Sequence, residues 1–136
     1  MDFEKAYGSI AVLEVEIRTF ANEGYAVKYD FGRRVISWRD NYMWNNNFTR
    51  SLSEDNINLI KEKLPESGML EWINGYNLGL TEEYGDKTLV PGEWIIKVEF
   101  NDKTSLKSGA EQHFPKKWKN LQLLIEQTSG CSFMLR

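Results

Sequence analysis

The sequence predicts an α+β fold, a mainly antiparallel sheet of about five strands in the order βββ-αα-ββ-α with its helices packed on one face. Several segments alternate apolar with charged side chains, the period-two signature of strands buried on one side only. Others repeat apolar residues every three to four positions and carry cap chemistry at their ends. At 136 residues with 41% hydrophobic content, the chain forms one domain, residues 1–136, able to build its own core without disulfides or a structural metal.

Leu13, Val15 and Ile17 alternate with Glu14, Glu16 and Arg18. Ile10 and Val12 have the opposite parity, so this first strand either begins near Leu13 or carries a bulge around it. Asn22-Glu23-Gly24 supplies a turn in which Gly24 can take positive φ. Tyr25, Val27, Tyr29 and Phe31 define a second strand, Gly32 closes the next turn, and Arg34, Ile36 and Trp38 define a third. Short turns between successive strands make an antiparallel meander. The Asn- and aromatic-rich stretch 40–49 reads as a loop. Ser51 or Ser53 can cap the next helix, Ser51 with Glu54 fitting a capping box, and Ile57, Ile60 and Leu64 follow at helical spacing with Pro65 as the stop.

A shorter helix carries Met69, Leu70, Trp72 and Ile73 and ends around Gly75. Residues 76–92 form a long connection with a short strand around Leu78 to Leu80. Trp94, Ile96, Val98 and Phe100 give the clearest strand, turned by Asn101-Asp102-Lys103 into a shorter return strand over 104–107 with Leu106 on its apolar face. Pro115 suits the first position of a last helix, with Trp118, Leu121 and Ile125 on one stripe and Gly130 as its C-terminal cap.

Several function classes are disfavoured. The acidic opening residues do not resemble a secretory leader, and no apolar run approaches the ~20 residues that cross a bilayer. One cysteine, Cys131, allows no internal disulfide, and a cytoplasmic location follows as the expectation. The net charge of −3 is spread over both halves. Only the stretch from Lys97 to Lys119 is locally basic, with six lysines against Glu99, Asp102 and Glu111, too little to predict nucleic-acid binding.

Catalytic patterns are also missing. The single histidine, His113, has no nucleophile or carboxylate at telling spacing, and reads as a partly exposed residue before the last helix. Cys131 follows a helix C-terminus, whose partial negative charge opposes a reactive thiolate. No glycine-rich phosphate loop occurs. The acid pairs Glu14/Glu16 and Glu54-Asp55 have structural explanations, and Glu82-Glu83 lies in the long connection. No cofactor, metal site or catalytic residue is expected.

The most unusual composition is around Arg39, Tyr42, Trp44 and Asn46, where rigid aromatics stand among Asn41, Asn45, Asn46 and Asn47. Rings that supply area and polar groups that supply orientation make up recognition surfaces. The competing reading is that Tyr42, Trp44 and Phe48 tack a loop over a sheet edge. The other tryptophans, Trp38, Trp72, Trp94 and Trp118, are assigned to the core.

From Leu64 to Ile125, a little under half of the chain, the sequence resembles a family of small uncharacterised bacterial proteins. The matching residues are Leu70 and Trp72, Tyr76, Gly92 before Trp94, Ser108-Gly109, Phe114-Pro115, Trp118 and Leu121. Where that pattern has an Asn before its Phe-Pro and an Asp-Gly turn, this chain has Gln112 and Asp102-Lys103. The resemblance implies no activity. The expectation is a non-enzymatic binding or interaction protein, an accessory or immunity-type factor with a protein partner and neither nucleic acid nor membrane. The alternatives are a small-molecule or ion-binding domain, with a pocket beside the 76–92 connection, and a hydrolase using carboxylates alone. Oligomeric state is not encoded in these patterns.

Overall fold

The structure, a computed structural model, describes residues 2–87 and 92–135. The chain opens with α1 (Phe3–Gly8), capped by the Asp2 side chain on the Lys5 N–H. It continues through β1 (Ile10–Arg18), β2 (Gly24–Asp30), β3 (Val35–Asp40), a 3-10 turn at Trp44–Asn46, and β4 (Phe48–Ser51). Three helices follow, α2 (Glu54–Ser67), α3 (Met69–Asn77) and α4 (Thr81–Tyr84), then β5 (Gly85–Lys87), β6 (Glu93–Phe100), β7 (Ser105–Glu111), β8 (His113–Pro115) and α5 (Trp118–Ser129).

The α+β class and the antiparallel sheet are as the alternation predicts, but the main sheet has six strands, ordered β4-β3-β2-β1-β6-β7. The N-terminal meander β1-β2-β3 extends into β4, and the β6-β7 hairpin attaches to the other side of β1, with Val15 opposite Ile96 and Ile17 opposite Trp94. β5 and β8 form a separate two-stranded ribbon. The parity change near Leu13 is a bulge between Ile10 and Val12, where the pairing with β6 shifts, so β1 starts at Ile10.

One face of the sheet is covered. Leu13, Val15 and Ile17 of β1, Tyr25, Val27 and Tyr29 of β2, and Trp94, Ile96 and Val98 of β6 share one buried core with Ile57, Ile60 and Leu64 of α2 and Leu121 and Ile125 of α5. Trp94 is fully buried, its ring 5.3 Å from Trp72, 5.1 Å from Tyr76 and 6.1 Å from Trp118. Its indole N–H donates to the His113 carbonyl at 2.7 Å. Trp38 and Trp72 are buried with it, whereas Trp118 is only half-buried against them. The opposite face keeps its alternating charged side chains, and Lys28, Lys97 and Lys107 project from it into solvent.

Several local expectations are corrected. The 40–49 stretch is not all loop, because Phe48 begins β4 opposite Trp38. That puts Ser51 in a strand and rules out its capping box, and of the two cap candidates Ser53 caps α2 by accepting the Asn56 N–H. Pro65 does not stop α2; it lies in the last turn on the exposed side, and Gly68 at φ 70° ends the helix. Any side chain with a Cβ would find that left-handed conformation costly. No strand forms at 78–80, and the connection holds α4 and β5. β7 reaches Glu111, beyond the expected 107. Pro115 sits in β8, and α5 starts at Trp118 with Gly130 at φ 74° as its cap.

Candidate functional site

The loop after β3 is organised by one buried carboxylate. Asp40, 3% exposed, accepts the Tyr42 N–H at 2.8 Å and the Met43 N–H at 2.9 Å on Oδ1, and the Asn46 amide at 3.3 Å on Oδ2. Its own N–H donates to Asn47 Oδ1 at 2.6 Å, and the Asn41 N–H donates to the Gly24 carbonyl at 2.8 Å. An Asp that bonds the backbone two and three residues on makes a self-contained turn, and three donors offset the burial of its charge. Asn47, Asn46 and Asp40 therefore shape the loop, which tightens through the Asn46 N–H to the Met43 carbonyl and the Asn47 N–H to the Trp44 carbonyl.

Its aromatic residues divide. Tyr42 packs on Tyr25, ring centroids 5.4 Å apart. Phe48 stacks on Trp38 at 6.2 Å, with the Arg50 guanidinium 4.6 Å from its centroid. Trp44 does neither: it is 83% exposed, next to Met43 at 45%. The tacking role describes Tyr42 and Phe48, and it does not describe Trp44. Of the other two predicted site residues, Asn46 turns inward to Asp40. Arg39 lies on the open sheet face, where its guanidinium is 4.0 Å from Glu16. The four are thus neighbours in the chain but not one cluster of side chains. Asp40 was missed as the organiser of the loop, although an Asp before a run of turn residues is a readable sign of such a turn.

The open face carries a charged chain from β3 to β6. Glu16 meets both Arg39 and Arg18, and Arg18 Nε donates to Glu93 Oε1 at 2.5 Å. That hydrogen bond is the main reason the Arg18 guanidinium holds its proton even more firmly than usual. Beside this chain is a concavity of about 480 Å³ whose lining includes Glu14, Lys28, Ser37, Arg39, Asn47 and Thr49. Another, of about 430 Å³, opens between α1 and α2 over Tyr7, Ile10, Phe31, Ile60 and Leu64. Neither lies beside the 76–92 connection, part of which is outside the described residues.

Elsewhere the chemistry is sparse. His113 is in β8 rather than at a helix start, and its Nε2 is 3.3 Å from Glu82 Oε1 on α4, a carboxylate partner the sequence spacing does not reveal. Fixing the His113 backbone, the Tyr76 hydroxyl donates to its carbonyl at 3.0 Å alongside the Trp94 indole. The Cys131 thiol is half-buried, and burial pushes its pKa up, the opposite of an activated nucleophile. Among the described residues no group of three or more His, Cys, Asp or Glu side chains is placed to hold a metal, and no helix is long and apolar enough to cross a membrane. The chain matches no family model, no curated protein and no solved structure.

Proposed function

We propose that this protein is a non-enzymatic binding module, an accessory or immunity-type factor acting in the cytoplasm, and that it captures a protein partner through the 41–47 loop. One observation carries the reading: Trp44 is 83% exposed on a loop whose backbone is already held by the Asp40 carboxylate. Covering such a ring removes about 200 Å² from water, worth on the order of 5 kcal/mol before the costs of association. A preformed loop lowers those costs, because few backbone torsions remain to be ordered on binding. Exposed tryptophans on rigid supports are the residues that dominate interface energetics. Met43, 45% exposed, adjoins this anchor in the chain, while Tyr42 packs on Tyr25, Asn46 bonds to Asp40, and Arg39 stands apart on the open sheet face.

The test is paired capture from an extract of the native organism, with wild-type protein and Trp44→Ala as baits and mass spectrometry as the readout. Trp44→Ala is expected to lose the partner and to keep its stability within about 0.5 kcal/mol, as for exposed substitutions in general. Undiminished capture by the variant, or a thermal midpoint several degrees lower, would overturn the reading.

A further inference from the structure

The hollow between α1 and α2 has fixed apolar walls. Ile10 at the start of β1 and Phe31 after β2 line it from the sheet, Ile60 and Leu64 from α2, and the Tyr7 ring from α1. The Tyr7 hydroxyl is turned to α3, where it accepts the Leu70 N–H at 2.9 Å. Phe31 is fixed by its N–H on the Ala11 carbonyl at 3.0 Å and by its ring stacked on Tyr29. Gly8 also lines the hollow, and a Cβ added there would meet nothing within 4 Å. Its φ is not in the left-handed region, so neither crowding nor backbone conformation calls for glycine, a poor helix former, in the last turn of α1. What the missing side chain preserves is open volume.

From these walls and the polar groups around them we infer that the hollow is a binding site for a small, uncharged aromatic alcohol. Pro65 lies inside α2 and has no N–H, so the Lys61 carbonyl four residues earlier lacks its helical donor. Both residues line the hollow, and that carbonyl is the acceptor for one ligand hydroxyl. Charge decides the rest of the head group. Glu4 and Lys61 bring opposite signs to the lining, both exposed and, among the described residues, neither in an ion pair. A ligand ammonium would meet Lys61 and a ligand carboxylate would meet Glu4, whereas a neutral molecule meets no like charge. An enclosed cavity of about 150 Å³ takes one benzene ring, so about 430 Å³ open on one side takes roughly two fused rings. The Tyr7 and Phe31 rings suit an aromatic occupant in edge or offset contact.

Length argues against a partner helix as the occupant. The α2 wall runs from residue 60 to 65, a rise of about 7.5 Å, whereas the i to i+7 anchors of a docked helix span about 10.5 Å. A route of entry is present as well. No residue of α1 is fully buried, so the element on the outer side of the hollow is held less by the core than its neighbours are. The hollow shares no lining residue with the 41–47 loop, and this inference goes beyond partner capture without resting on it.

The experiment titrates 2-naphthol, 2-naphthoate and 2-naphthylmethylamine into the full chain at neutral pH by calorimetry, with amide shift mapping to locate each. 2-Naphthol is expected to saturate one site, with shifts centred on residues 7–10, 31 and 60–64, and to bind about tenfold more tightly than either charged analogue. Gly8→Leu puts a side chain into the open volume and should abolish binding. Its unfolding midpoint should be at or above that of wild type, because nothing is displaced and a poor helix former is gone. Pro65→Ala returns a donor to the Lys61 carbonyl. It should weaken 2-naphthol about fivefold and leave 2-methylnaphthalene unchanged, the difference expected for one neutral hydrogen bond. Trp44→Ala should bind 2-naphthol as wild type does. No saturable binding, shifts centred elsewhere, a charged analogue binding as tightly, full binding by Gly8→Leu, or equal losses of both naphthalenes in Pro65→Ala would each overturn the proposal.

Discussion

Gln112 has φ 56°, in the left-handed region, while its N–H donates to the Gly92 carbonyl at 2.8 Å. The conformation is forced by the reversal from β7 into β8, and a side chain with a Cβ costs roughly 1 kcal/mol there. Asparagine, with its shorter polar side chain, tolerates it better than glutamine. Gln112→Gly is therefore expected to raise the unfolding free energy by about 1 kcal/mol in a denaturant titration; a loss of stability would show that the glutamine side chain contributes more than its backbone costs. Position-by-position reading is limited in the same way at the 41–47 loop. Its aromatic and Asn content is visible in the sequence, but Tyr42, Trp44 and Phe48 look equivalent there. What separates them is that Tyr25 and Trp38 stand behind two of them and nothing covers the third.

Elements were legible where one side of a segment is buried and the other solvated. β2, β3, β6 and the stripe of α5 all declare themselves by period, because a single core face selects their apolar residues. β4 and β8 do not, since a strand of three or four residues at the margin of the core buries too few side chains to show a period. Gly24 illustrates the same limit. As a turn glycine it would need positive φ, but Asn22 takes that role at φ 62°. Gly24 instead begins β2 directly against β1, and a Cβ there would stand 2.0 Å from the Ile17 carbonyl oxygen and 2.7 Å from the Arg18 Cα. Both are backbone atoms in a paired strand and cannot swing aside. Gly24→Ala should thus cost about 3 kcal/mol of stability; a loss below roughly 0.5 kcal/mol by chemical denaturation would mean that the strands separate there at little cost.

On the scale of the whole molecule, three tyrosine hydroxyls join helices to the sheet or to each other. Tyr29 of β2 meets Thr128 of α5 at 2.6 Å, and donates, because the Thr128 proton goes to the Leu124 carbonyl at 2.9 Å. Tyr7 of α1 accepts the Leu70 N–H of α3 at 2.9 Å, and Tyr76 of α3 donates to β8. Burial is the leading cause that raises the pKa of all three, with Tyr76 pushed up to about 12 and further raised by the nearby Asp86 and Glu82. An unfolded tyrosine loses its proton near 10. Between about pH 10 and 12 the unfolded chain therefore releases protons that the fold retains, so stability falls as pH rises through that window. Thermal unfolding scans should show a midpoint that drops steeply above about pH 10, with a shallower drop in Tyr29→Phe; an unchanged midpoint at about pH 11 would remove burial as the cause. Sequence alone determined the α+β class, the antiparallel strands with one apolar face, and the compositional oddity around Trp44. Each of these depends on which side of a local segment meets water, and that is written in its period. Only the tertiary structure decided that β6 joins β1, that Asp40 folds the loop beneath Trp44, and that Lys28, Lys97 and Lys107 share a row. Those facts depend on register between segments far apart in the chain, and register follows from how whole faces pack together, not from any one segment's pattern.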